Sequence, residues 1–101
     1  MIKHIVIWEL KNSSSPVSKN EDGLAIQSTL ENLNGKIPGL LHIEVGFDCS
    51  GSETAGDIVL YSEFTDKAAL ANYLKHPAHV AVGKIVRPRT CARRMIDYEC
   101  S

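Results

Sequence analysis

The sequence predicts an α+β, ferredoxin-like fold, because its segments follow the order β-α-β-β-α-β, with an extra short helix before the last strand. Three observations support this prediction. Apolar residues alternate in four strand-sized segments, the segment after the first strand has helical spacing, and a proline divides the second helical region. At 101 residues the chain has the size of a single domain, expected to span residues 1–101.

Residues 2–11 predict a first strand that is apolar on both faces. Ile5 and Ile7 lie on one face, and the other carries Ile2, His4, Val6, Trp8 and Leu10. The helices of this fold cover only one face, so the other would expose an apolar patch. We therefore expect a homodimer in which two sheets face each other and close a dimeric α/β barrel around a lumen.

Residues 12–18 predict a polar turn before the first helix. Ser18 and Glu21 fit a capping box at the start of that helix. One buried stripe is expected to contain Leu24, Ile26, Leu30, Leu33 and Ile37. Gly35 and the Pro38-Gly39 pair are expected to end the helix.

Two further strands are predicted on either side of a hairpin loop at residues 50–56. Residues 40–49 form the earlier one, with an apolar face of Leu41, Ile43, Val45, Phe47 and Cys49. Residues 57–64 form the later one, with Ile58, Leu60 and Phe64 on one face and Val59 and Tyr61 on the other. Residues 91–100 read as the closing strand.

The second helical region is expected to begin after Thr65 as its N-cap and to bury Leu70, Tyr73 and Leu74 along one stripe. A residue before proline is disfavoured in the α conformation, so this helix should end near Lys75, just before His76. Pro77 suits the first position of a new helix over residues 77–86.

Composition excludes several classes of protein. Eleven basic and 12 acidic residues, spread along the chain, form no basic stripe for nucleic acid. The apolar runs are strand-sized and no signal peptide is apparent, so we expect a cytoplasmic protein without membrane contact. Three cysteines, an odd number, do not indicate a disulfide framework.

The segment Tyr73-x-x-His76-Pro77-x-His79 contains the candidate catalytic residues. As the third residue of its helix, His79 lies near the positive end of the helix dipole, which favours a neutral imidazole and hence a general base. Asp97 could fix its tautomer, and Tyr73 could donate a hydrogen bond to a carbonyl and stabilise an enolate. The alternative is structural: Tyr73 packs in the core, His79 lines the junction of sheet and helix, and His76 caps backbone groups.

Other polar residues leave alternatives open. His4 could be a proton relay or an ordinary core histidine. His76 and His79 could approach one metal ion, but no third ligand is evident, so we predict no metal site and no cofactor. An arginine cluster near the C-terminus could recognise a carboxylate or form a solvated strand edge; it consists of Arg87, Arg89, Arg93 and Arg94.

Residues 1–11, the segment 57–80 and Ile96-Asp97-Tyr98 together resemble the Dabb family of stress-responsive dimeric α/β-barrel domains. The resemblance implies the dimeric barrel. The chain also resembles, more distantly, a cofactor-free aldol cyclase of the family, olivetolic acid cyclase. This resemblance implies catalytic roles for the matching residues Tyr73, His79, His4 and Asp97. The chain departs from that cyclase at Ile58, where the cyclase has a histidine, and near Ser28, where it has a tyrosine.

Two classes of function follow from these expectations. In the first, a lumen lined by Val6, Trp8, Ile58 and Leu60 binds a small apolar or aromatic carbonyl compound, with or without cyclase- or lyase-like acid–base chemistry. In the second, the chain is a non-enzymatic dimeric stress or structural protein whose lumen its own side chains fill. A cofactor-free monooxygenase-like barrel is a further alternative.

Overall fold

The structure, a computed structural model, describes residues 1–11 and 15–101. In chain order its elements are β1 (Ile2–Leu10), α1 (Pro16–Glu31), β2 (Leu40–Phe47), β3 (Ile58–Phe64), α2 (Lys67–Lys75), α3 (Pro77–Val86), a short 3-10 helix (Arg87–Arg89) and β4 (Thr90–Glu99). This order is the expected ferredoxin-like one, and the extra helix is α3.

The strands form one antiparallel sheet in the order β2-β3-β1-β4. The helices cover one face, on which the even-numbered residues of β1 and β3 are buried. We call this the covered face. The other, the open face, exposes large parts of Ile7, Ile96 and Tyr98. The expectation that one sheet face stays uncovered is therefore met within the chain.

The first helix begins earlier than predicted. Its N-cap is Ser15, whose hydroxyl accepts a hydrogen bond from the Ser18 backbone N–H, and Pro16 takes the first helical turn. The expected capping box with Ser18 as the cap is therefore wrong. Residues 12–14 of the expected polar turn lie outside the residues that the structure describes. Leu24 is half exposed rather than buried, and the helix ends at Glu31, before Leu33.

The second strand corrects the expected apolar face. The register shifts between Leu40 and His42, so Leu40 is buried and Leu41 is 55% exposed. Such an irregularity changes which side chains face the core. Farther along, Phe47 and Cys49 are also exposed.

The break between α2 and α3 follows the sequence closely. His76 ends α2 and caps α3, with its ring Nδ1 accepting from the Ala78 backbone N–H at 3.1 Å. Pro77 begins α3 as predicted. The N-cap of α2, however, is Asp66 rather than Thr65, and Leu74 is exposed rather than buried.

Candidate functional site

A cavity of about 330 Å³ lies on the covered face, between the sheet and α3. Its lining includes His4, Val6, Trp8, Leu60, Tyr73 and His79. We expected these residues around a lumen between the two sheets of a dimer; they surround instead a cavity within one chain. The reason is that the even-numbered side chains of β1 point towards the helices. Ile58 is buried in the core and does not line this cavity.

Tyr73 belongs to the buried part of the cavity lining, which we call the inner end of the cavity. The residue is fully buried, and its ring lies 4.9 Å from that of Phe64 and 4.4 Å from that of His79 between centroids. Its hydroxyl has no hydrogen-bond partner among the described residues. Burial raises the pKa of Tyr73 to about 12, so the group is a protonated donor near neutral pH.

His79, the third residue of α3, lies against the end of α2. Its ring Nδ1 is 3.3 Å from the Leu74 carbonyl oxygen. Because a carbonyl only accepts, Nδ1 carries the proton and Nε2 of the neutral ring keeps its lone pair. Burial is the largest cause that lowers the pKa of His79; the charges of Arg93 and Arg87 act in the same direction. The neutral ring expected from the helix dipole thus has desolvation as its main cause.

His4 and Asp97 are cross-strand partners of β1 and β4. His4 is 2% exposed, and its Nδ1 donates to the Asp97 carboxylate. The Ser62 hydroxyl donates to the His4 carbonyl at 2.8 Å and ties this part of β1 to β3. Asp97 was expected to orient His79. It orients His4 instead, because the strand register places the two side by side.

The cavity has a solvent end that the sequence did not connect with Tyr73 and His79. Arg87, Thr90 and Arg93 line it, and both arginines are exposed. Arg93 is the cross-strand partner of Trp8, a relation that depends on the register of β4. The only sequence signal was the arginine cluster itself.

In the described ranges, no three potential ligands from His, Cys, Asp or Glu lie close enough to hold a metal ion, and no helix is long and apolar enough to cross a membrane.

The fold and this cavity define a ferredoxin-like protein with a pocket between its sheet and helices. The chain belongs to the Dabb family: the family model, Stress responsive A/B Barrel Domain, matches residues 2–100. An uncharacterized protein of Streptomyces coelicolor is 34% identical over 82 residues, which cover 80% of this chain and 81% of that protein. A stress-response A/B barrel domain-containing protein of Arabidopsis thaliana is 34% identical over 87 residues, 83% of this chain but 30% of the plant protein.

Solved structures agree with the fold. A dimeric protein of unknown function with a ferredoxin-like fold from Bacteroides fragilis superposes with a TM-score of 0.87, at 34% identity over 98% of this chain and 95% of that one. A hydroxynitrile lyase from Passiflora edulis has a TM-score of 0.74 at 19% identity, over 96% and 90% of the two chains. An antibiotic biosynthesis monooxygenase has 0.73 at 14%, over 100% and 99%. These last two likenesses show the fold alone.

Proposed function

We propose that this Dabb protein binds a small apolar or aromatic carbonyl compound in the cavity and catalyses cofactor-independent proton transfer next to the carbonyl. The observation that supports this most is the Tyr73 hydroxyl, which is buried and has no partner within the described residues, on a residue that lines the cavity. A buried polar group without a partner costs stability, by about 1–3 kcal/mol. A ligand carbonyl would supply the missing acceptor.

The chemistry follows from the two rings in contact. Tyr73 donates its hydroxyl proton in a hydrogen bond to the ligand carbonyl oxygen, which draws electron density away from the adjacent carbon. Nε2 of His79 takes a proton from that carbon. In an aldol cyclisation the enolate carbon then attacks a second carbonyl of the ligand, forming a C–C bond, and protonated His79 returns its proton to the resulting alkoxide. In the reverse cleavage Nε2 takes the proton of the ligand hydroxyl, the C–C bond breaks, and the enolate carbon receives that proton. Tyr73 stays protonated throughout because of its raised pKa.

His4 supports the same site from the sheet. Its ring centroid lies 6.2 Å from that of Tyr73, and its Nδ1–H is held by Asp97. Nε2 of His4 is therefore the atom left to accept or relay a proton in the cavity. Asp97 acts here as a positioning residue. Val6, Trp8 and Leu60 supply apolar walls for the ligand.

The proposal includes a homodimer formed through the open face. Ile7, Ile96 and Tyr98 each expose between 42% and 57% of their surface there, which is unfavourable for an isolated chain. Neighbours from Bacteroides fragilis and Thermobifida fusca are described as dimeric proteins with this fold. A second copy would cover the face by two-fold symmetry.

Deuterium exchange tests the chemistry without knowledge of the natural substrate. The probe is hexanophenone in D₂O, with loss of its α-proton signal followed by NMR. We expect hexanophenone to bind the wild type and raise its melting temperature, and we expect the wild type to accelerate α-proton exchange above the rate in buffer alone. Tyr73→Phe should abolish the acceleration. Binding without accelerated exchange would support ligand binding and refute the proposed catalysis of proton transfer. No binding by this ketone or by other aromatic and β-keto ligands would favour the non-enzymatic structural alternative.

A further inference from the structure

The solvent end of the cavity differs in charge from its inner end. The inner end combines Tyr73, His79 and His4 with apolar walls, whereas Arg87 and Arg93 bring two guanidinium groups to the opening. Arg87 lies at the C-terminus of α3, and Arg93 lies on β4 beside Trp8. The two charges thus reach the opening from different elements.

Arg87 and Arg93 differ from Arg89 in their ion pairing. Within the part of the chain that the structure describes, neither Arg87 nor Arg93 has a carboxylate within ion-pair distance. Arg89 differs: its Nε is 3.3 Å from the Asp22 carboxylate, and its Nη1 donates to the Ile85 carbonyl at 2.8 Å. Arg94 also has no ion pair among the described residues but does not line this cavity, so Arg87 and Arg93 are the members of the C-terminal cluster that bring unpaired guanidinium groups to it.

The cavity walls set the distance between the two ends. Along α3, His79 and Arg87 are eight residues apart, or about 12 Å at a rise of about 1.5 Å per residue. On β1, His4 and Trp8 both line the cavity four residues apart, or about 13 Å at about 3.3 Å per residue, and Trp8 is the cross-strand partner of Arg93. The helix and strand agree, and arginine side chains can shorten the span from the outer end.

We infer that the ligand carries a carboxylate, bound by Arg87 and Arg93 at the opening while its carbonyl lies at Tyr73 and His79. This rests on the proposed function and narrows its substrate class to elongated, largely apolar oxo acids. Arginine suits the role because its planar donors match a carboxylate in bidentate geometry. The influence of both arginines on the pKa of His79 supports their proximity to the catalytic end.

A matched pair of ligands tests the inference by calorimetric titration. δ-Benzoylvalerate has the carbon skeleton of hexanophenone, with a carboxylate in place of the terminal methyl group. We expect the wild type to bind the oxo acid at least tenfold more tightly than the ketone at low salt. Arg87→Gln and Arg93→Gln should each weaken oxo-acid binding about tenfold and leave hexanophenone within about twofold. Lys84→Gln, an exposed charge on α3 outside the cavity lining, is the control and should change neither.

The outcomes separate the two proposals. If hexanophenone binds but the oxo acid binds no more tightly, the inference is overturned while the carbonyl site stands. The same conclusion follows if the arginine variants weaken both ligands equally, since the arginines then shape the cavity rather than bind the anion. If neither ligand binds the wild type, both proposals fall. Circular dichroism of each variant checks that loss of binding is not loss of folding.

Discussion

On the covered face of the sheet, polar groups lie in an apolar core, whereas on the open face apolar side chains lie in solvent. Tyr73 and His4 are buried at 0% and 2% exposure, yet Ile96 is 57% exposed. Both arrangements destabilise an isolated chain, for opposite reasons: one removes a hydroxyl from water without a partner, and the other leaves apolar surface in water. The proposals assign a different missing partner to each face, a carbonyl ligand to the covered face and a second chain to the open face.

The largest effect is expected from removing the proposed base, His79, on the covered face. His79→Gln should lower the rate of α-proton exchange by at least about 100-fold, because general base catalysis contributes at least that much. The measurement is NMR exchange of hexanophenone at saturation. His42→Gln, on an exposed pair with Glu44, is the matched histidine control and should keep the full rate. An unchanged rate in His79→Gln would remove this residue from the mechanism.

Charge on the open face should break the dimer and spare the fold. Ile96→Asp would place a carboxylate in the proposed interface, and we expect the dimer dissociation constant to rise by about 100-fold or more. Sedimentation equilibrium measures this constant. Leu24→Asp adds the same charge at an exposed apolar position of α1 and should leave it unchanged. Equal effects of both variants would contradict the assignment of the interface.

The acid limb of the pH–rate profile should report His79. Since its folded-state pKa is lowered, the ring stays a neutral base to below its ordinary pKa of about 6.5. The rate should therefore be flat near neutral pH and fall about tenfold per unit only below the lowered pKa. The lowered pKa also affects the free energy of unfolding. The contribution of His79 to this free energy is fully present above the pKa of the unfolded state and is lost as the pH falls through the pKa of the folded state. An acid limb centred above 6.5 would contradict this.

The smallest expected effect is that of Tyr73→Phe on stability. This substitution should lower the activity but raise the stability. Tyr73→Phe keeps the ring in the core and removes only the unpartnered hydroxyl, so the free energy of unfolding should rise by about 1 kcal/mol in the absence of ligand. Urea denaturation measures this change. A clear loss of stability would mean that the hydroxyl has a partner in the folded protein, which would undercut the main argument for a carbonyl ligand.

Local patterns predicted the elements best where they left no competing choice. The Pro77 break was found because proline excludes the preceding residue from the helix, and β3 because its alternation is regular. The predicted start of α1 was wrong because Ser15 and Ser18 can both serve as N-caps. Which of them does so depends on the backbone conformation in the folded chain. Leu41 was placed on the wrong face because a register irregularity in β2 leaves no mark in the apolar pattern.

The order of strands and helices, the break at Pro77 and the two-sided apolar character of β1 follow from the amino-acid sequence alone, since they depend on steric preference and on the spacing of neighbouring residues. The folded chain was needed to show that Asp97 holds His4 rather than His79, that Arg93 lies beside Trp8, and that the cavity lies under α3. These relations join residues far apart in the chain. They depend on strand register and helix packing, which arise from contacts summed over the whole core.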